Sequence, residues 1–346
     1  MFVPHFRHDV THVNASEKGR GRMSVQVIGN IVPEDDYLHP LGPEENFNES
    51  MYFNFFDREH GTGGFVRMGN RANEGYAEMT TCLYLPGGRV LFQYGRPRIS
   101  SNDAFDGAGM RFEVIEPGVQ LRTRYEGRVV DLADPTAMTD PSSAFRENPM
   151  KTVTLDLVHE GVGPMYGHKA EGPAADPTKE FARAHYEQHM RATGTLSIDG
   201  EELRIDGLGL RDHSWGPRYW QAIHAYRWLT VNFGPDFGMM ISVIWGEKGG
   251  APRQSGVVLR DGTLTNIVAA EIDTEHEENG VFHRALHARV TLESGETLEV
   301  DGDVKGFIPL RNRRQGLITH IGEGMTEYRC GDHVGYGLSE YLDQVE

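Results

Sequence analysis

Residues 76–94 read YAEMTTCLYLPGGRVLFQY. Side chains alternate along an extended chain, so Ala77, Met79, Leu83 and Leu85 fall on one face of a strand. Pro86-Gly87-Gly88 punctuates the run, and Arg89–Tyr94 returns as the second arm of a hairpin. Working outward, the same design recurs. Met110–Glu116 and Val119–Tyr125 flank the turn Pro117-Gly118. Thr193–Ile198 meets Glu202–Ile205 across Asp199-Gly200, a dipeptide that tolerates the positive φ such turns need. Met23–Val32, Met51–Phe56, Val153–His159, His224–Phe233 and Met239–Trp245 extend the series, followed by Ser255–Leu259, Leu264–Ile272, Phe282–Leu292, Thr297–Val304 and His333–Leu342. This spacing predicts an all-β chain of antiparallel barrels or sandwiches with few short helices. One helix is expected, Pro177–Met190, capped by Thr178 ahead of Glu180. The stretch Asp134–Pro149 reads as a surface loop.

Length and charge narrow the function. A chain of 346 residues accommodates two domains. Gly161–Pro177 is rich in Pro and Gly, which suit neither ladder nor helix, so the expected division is 1–165, a linker over 166–184, and 185–346. Lys and Arg number 34 against 51 Asp and Glu, a net charge of −17. Nucleic-acid affinity rests on cations displacing phosphate counterions, so a nucleic-acid partner is excluded, as is an anionic membrane surface. No run of residues has the length of an apolar membrane span, so no membrane insertion is expected. Two distant cysteines, Cys82 and Cys330, match no metal or disulfide spacing. Met1–Val10 lacks an apolar signal region, and the expected location is cytoplasmic.

The densest chemistry is GLGLRDHSWGPRYW, residues 207–220. Asp212, His213, Ser214, Arg218, Tyr219 and two indoles, Trp215 and Trp220, crowd one bent segment. Alternation puts Asp212 and Ser214 on one face, with Arg211, His213 and Trp215 on the other. A purely structural β corner explains such a cluster about as well as catalysis does.

The motif Gly209-x-x-Asp212-His213-Ser214-Trp215-Gly216-Pro217-Arg218, preceded by a strand and a DG hairpin, resembles the central motif of the hydroxyneurosporene synthase (carotenoid 1,2-hydratase) and AttH-like superfamily. The closing segment, Glu323–Tyr328 through His333–Gly337 to Glu340-Tyr341, is similar to the end of bacterial members of that group. The resemblance implies two lipocalin-like β domains in tandem, the second carrying the DHSWGPR motif, and chemistry without a cofactor on a hydrophobic small molecule such as a terpenoid, lipid or aromatic. Ser214 stands where the carotenoid enzymes tend to have Asn.

The expected function is a lyase or isomerase of hydratase or dehydratase type; the alternative is a non-catalytic carrier of a hydrophobic ligand. Asp212, shielded by Trp215, Tyr219 and Trp220, is expected to have a raised pKa and to donate a proton, with His213 as its acid–base partner. Ser214, Trp215, Arg218, Tyr219 and Trp220 are expected substrate contacts, with Tyr84 and Tyr94 facing each other at a barrel mouth. No metal site is expected, and a homodimer is admitted. His185 and His189, four apart on the expected helix, read as solvent-exposed, and His283 and His287 as the polar side of a strand. Arg67, Asn70, Arg71, Asn73 and Glu74 form a polar stretch, either ligand-facing or solvated. Glu327, His333, Tyr336 and Glu340 read as an edge strand rather than a barrel lining.

Overall fold

The computed structural model describes residues 25–176, 180–314 and 316–345. Residues 1–24, which include the start of the Met23–Val32 strand, and the expected cap Thr178 lie outside the described residues. Twelve strands form one hydrogen-bonded system: β1 (Val27–Gly29), β2 (Phe47–Asp57), β3 (Thr62–Arg71), β4 (Tyr76–Tyr84), β5 (Val90–Gly95), β6 (Asp106–Gly107), β7 (Met110–Glu116), β8 (Gln120–Leu132), β9 (Met150–Gly161), β10 (Met165–Lys169), β11 (Ala184–Ile198) and β12 (Glu201–Pro217). Strand β9 bonds to both β8 and β11, so the path β11–β12–β2–β3–β4–β5–β8–β9 returns to its start as a ring. The remaining strands, β13 (Ala225–Gly234), β14 (Phe237–Trp245), β15 (Arg253–Arg260), β16 (Thr263–His276), β17 (His283–Leu292), β18 (Thr297–Arg314), β19 (Leu317–Cys330) and β20 (His333–Val345), make a closed antiparallel barrel. The chain is all-β in two parts, as its turn spacing predicts.

The division between the parts falls elsewhere than expected. Strand β10 lies inside the anticipated linker, and β11 and β12 bond into the first system, which therefore runs to Pro217. The DHSWGPR motif belongs to the first ring, not to the barrel. The expected helix over 177–190 is also corrected, since Ala184–Ile198 is a strand. Residues four apart share a face in a helix and in a strand alike, so the His185/His189 spacing did not discriminate. The α-helix α1 (Pro141–Glu147) instead occupies the anticipated loop, behind a 3-10 turn at Pro135–Thr139. Asp134 and Asp140 accept hydrogen bonds from the amides of Thr136 and Ser143, with Pro in the first turn of each.

Apolar side chains fill three zones. Met51, Phe53, Phe55, Leu83 and Leu157 pack inside the ring, and Leu229, Val231, Val258 and Val290 inside the barrel. Between the two parts, Tyr52, Phe65, Cys82 and Tyr84 meet Ile308, Met325 and Leu338, while Leu210 and Tyr166 meet Met240, Val257 and Leu259. Strand β4 is accordingly buried on both faces: its predicted apolar face points into the ring, and the barrel covers the other. Gly209 permits the close pairing of β12 with β2, because a Cβ there would stand 1.9 Å from the Asn54 carbonyl oxygen.

Leu210 is fully buried at this seam. Leu210→Ala is expected to destabilise the protein by about 2–5 kcal/mol, moving a single urea transition that covers ring and barrel together. Two separate transitions, with only one shifted, would show that the parts unfold independently.

Candidate active site between ring and barrel

Strand register assembles a polar row across the outer face of the ring. Tyr166 pairs with Glu187, Glu187 with Asp212, Asp212 with Tyr52, Tyr52 with Arg67, Arg67 with Thr80, and Thr80 with Tyr94. On the barrel, Trp228 pairs with Glu340, and Glu340 with Glu323. The two rows meet. The Trp228 indole donates to Glu187 Oε1 at 2.9 Å, its ring lies edge-on to Tyr52 at 5.5 Å, and the Tyr84 hydroxyl donates to the Glu323 carbonyl at 3.1 Å.

Charges in this seam control one another. Burial works to raise the Asp212 carboxyl, but the adjoining His185 imidazolium and the Arg218 guanidinium outweigh it and hold Asp212 below the ordinary carboxylate range. The expectation of a raised Asp212 is therefore corrected: Asp212 is half-buried and hydrogen-bonded to His185, whose own pKa rises to about 9 because Asp212 and Glu187 overcome its burial. The raised carboxyls are its neighbours. Burial, opposed by His185 and reinforced by the Asp212 charge, lifts Glu187 to about 7. Burial and the same Asp212 charge lift Glu340 to about 7, and burial lifts Glu323 to about 8 against the pull of Arg67. Oε1 of Glu187 accepts the indole bond, and Oε1 of Glu340 accepts the Tyr226 hydroxyl. Oε2 of Glu187 and Oε2 of Glu323 are buried with no hydrogen-bond partner among the described residues.

The other anticipated residues divide between the two faces of β12. Ser214 shares the Asp212 face and accepts a hydrogen bond from Arg218 Nη2 at 2.8 Å. The Arg218 guanidinium also lies over the rings of Phe181 and Trp220, 4.6 and 5.4 Å from their centroids, at the edge of the seam. Positive φ at Gly216 bends the chain beyond the motif, and Tyr219 follows, half-buried and outside the row. His213 and Trp215 point the opposite way, into the ring, so they cannot share a reacting group with Asp212. Glu49 there takes hydrogen bonds from His213 at 3.0 Å and His39 at 2.7 Å, Trp215 stacks on His39 at 3.8 Å, and Arg211 pairs with Asp36. Glu49 is held down at about 2: burial opposes ionisation, but His213 and His39 prevail.

Tyr84 and Tyr94 do not pair either. Register sets Tyr84 against Val90 and Tyr94 against Thr80, leaving Tyr84 buried and Tyr94 exposed at the end of the row. His189, expected at the surface, is buried and hydrogen-bonded to Asn232 at 2.9 Å. His283 is buried beside Ser339, because a bulge near His276 shifts its strand parity, whereas His287 stays exposed. Arg67, Asn70 and Arg71 belong to a covered strand rather than a loop.

Two groups bring metal-type donor atoms within 4.8 Å of one another, His39–Glu49–His213 and His185–Glu187–Asp212. In the first, every donor is engaged in a hydrogen bond; in the second, His185 and Asp212 are bonded to each other.

A family described as a domain of unknown function, DUF7064, matches residues 32–345. The chain belongs to this family. No curated protein is similar to it in sequence. Solved structures share its fold: a putative AttH from Nitrosomonas europaea is 15% identical with a TM-score of 0.59, covering 89% of this chain and 98% of that one. CghA is 13% identical with a TM-score of 0.54 over 87% and 88% of the two chains. Kievitone hydratase from Nectria haematococca is 10% identical with a TM-score of 0.51 over 89% and 93%. The fold is thus the tandem lipocalin-like arrangement shared with these structures. No helix among the described residues is long and apolar enough to cross a membrane.

Sequence reasoning missed Glu187, Glu323, Glu340, Arg67 and Trp228 as members of one site. Reading His185–His189 as a strand would have placed His185, Glu187 and His189 on one face, alongside Asp212.

A carboxyl with a raised folded pKa contributes stability that is complete below its unfolded value and fades as pH climbs through the folded one. Glu323, raised from 4.5 to about 8, therefore weakens the fold as pH rises across that window. Urea unfolding at pH 5 and pH 8.5 is expected to show Glu323→Gln losing less stability than the parent over that interval, by up to roughly 4 kcal/mol. Parallel losses in both proteins would place the Glu323 carboxyl in water.

Proposed function

We propose that the protein is a cofactor-independent lyase or isomerase of hydratase type acting on a hydrophobic small molecule in the seam between ring and barrel. One observation carries this reading: Glu187 and Glu340 enter the seam from opposite walls, each with a pKa of about 7 and each with one oxygen fixed by a donor. A general acid or base works best when its pKa lies near the working pH. One carboxyl, protonated, gives its proton to a carbon of a double bond. The other, ionised, takes a proton from water as its oxygen bonds to carbon, or from a C–H when a double bond migrates. The charges of the two carboxyls exchange and the substrate gains water or isomerises, with no electron transfer. The rings of Tyr52 and Trp228 face any developing cation, an attraction of about 2 kcal/mol when desolvated. Asp212 is a positioning residue. Its charge, held ionised by His185, keeps the neighbouring carboxyls protonated to higher pH.

The test begins with mass spectrometry of small molecules that co-purify with the protein, followed by turnover of the compound found. Glu187→Gln and Glu340→Gln are each expected to lower kcat by about 10²–10⁴-fold, and product formed in D2O should carry one carbon-bound deuterium. Activity should peak near pH 7, falling below it as the base is protonated and above it as the acid form is lost. In Asp212→Asn this peak should move to lower pH, because the neighbours ionise sooner. Unchanged turnover in both Gln variants would sink the acid–base reading.

A further inference from the structure

Beside the acid–base row, four buried nitrogens have no hydrogen-bond partner among the described residues: Nδ2 of Asn48, Nη2 of Arg67, and Nη1 and Nη2 of Arg71. Buried donors are nearly always satisfied, so four orphans together mark a place where an acceptor belongs. They come from neighbouring strands. Glu49 pairs with Asn70, which sets Asn48 of β2 beside Arg71 of β3. Arg67 and Asn48 lean over the bare Cα of Gly69, where a Cβ would stand 2.9 Å from Arg67 Nη2 and 3.1 Å from Asn48 Oδ1. Asn48 Oδ1 is itself unpartnered, but donors at this spot outnumber it four to one. Arg71 is wholly buried, its Nε bonded to Glu74 and its guanidinium drawn to Glu78 and Tyr76.

The local charge agrees. Arg67, Arg71, Arg96 and Arg218 gather here, close enough that Arg67 and Arg71 hold the Arg218 pKa down to about 10 in addition to its burial. Their carboxylate partners are Glu74 on Arg71, Glu78, which lies 3.7 Å from Arg67 and 3.2 Å from Arg96, and Asp212, whose charge acts on Arg218; Arg67 also acts on the raised carboxyls Glu323 and Glu340. In a chain of net charge −17, buried guanidinium groups in excess of their carboxylate partners are a local reversal of sign, and a low-dielectric site of one sign concentrates ligands of the other.

We propose that Asn48, Arg67 and Arg71 form an anion subsite over Gly69, and that the substrate is an organic carboxylate whose apolar body runs along Tyr52 and Trp228. The planar guanidinium fork matches a carboxylate in geometry as well as charge. This rests on the acid–base reading for the site of turnover, but binding tests it separately.

The probes are 1-naphthoate and its neutral counterpart 1-naphthamide, titrated into the full chain at pH 7 by calorimetry. Naphthoate is expected to bind at least about tenfold more tightly, with the margin shrinking as salt is raised. Arg67→Gln should erase the preference while leaving naphthamide affinity unchanged. Gly69→Ala keeps every charge and places a methyl in the cradle, so it should erase the preference too; an unchanged circular dichroism spectrum would confirm that each variant is folded. Glu187→Gln should retain it, so a failed turnover test and a failed subsite are distinguishable. Equal affinities in the parent protein, no binding of either probe, or a preference surviving in both Arg67→Gln and Gly69→Ala would overturn the subsite.

Discussion

Two closed β structures packed wall to wall exclude water from whatever lies between them, and carboxyl groups caught there must be neutral or paired. Burying an unpaired carboxylate is costly enough that the group takes up a proton instead. Four acids reach this seam, Asp212, Glu187, Glu323 and Glu340; the His185 imidazolium is hydrogen-bonded to Asp212 and lies 3.7 Å from Glu187. The negative charge of Asp212 then opposes ionisation of Glu187 and Glu340. Burial between the two walls thereby sets the protonation of Glu187, Glu323 and Glu340, and the His185–Asp212 pair adjusts Glu187 and Glu340.

The opposite face of β12 explains why that pair is so firmly placed. Arg211 is buried with Asp36, and Tyr186 and Gln188 complete its hydrogen bonds. His213 is clamped by Glu49, and Trp215 lies on His39. Breaking such a buried pair strands a charge, a loss of about 3–5 kcal/mol, so the strand has little freedom to turn. Polar groups inside the ring hold the backbone, and polar groups on the seam are left to react. The motif residues thus divide by alternation into a supporting set and a reacting set, although they are contiguous in sequence.

Legibility varied by residue for identifiable reasons. The hairpins at Pro86-Gly87-Gly88 and Asp199-Gly200 were plain, because glycine and aspartate there take positive φ that few residues adopt. Asp212 was located correctly but given the wrong charge, since its pKa depends on His185, twenty-seven positions away and brought alongside only by the pairing of β11 with β12. His213 and Trp215 stand next to Asp212 in the chain and opposite it in space. Alternation along the strand predicts that separation.

The sequence by itself determined the secondary structure and the class of fold, because strand alternation and turn chemistry are local properties of adjacent residues. It also marked residues 207–220 as the centre of polar chemistry. Only the tertiary structure decided which wall the barrel covers, and therefore that Glu187, Glu323, Glu340, Arg67 and Trp228 meet Asp212. Burial on a second face, cross-strand register and the mutual repulsion of carboxylates are long-range effects. They arise between segments as distant as Tyr52 and Glu340, and no local pattern in either segment encodes the other.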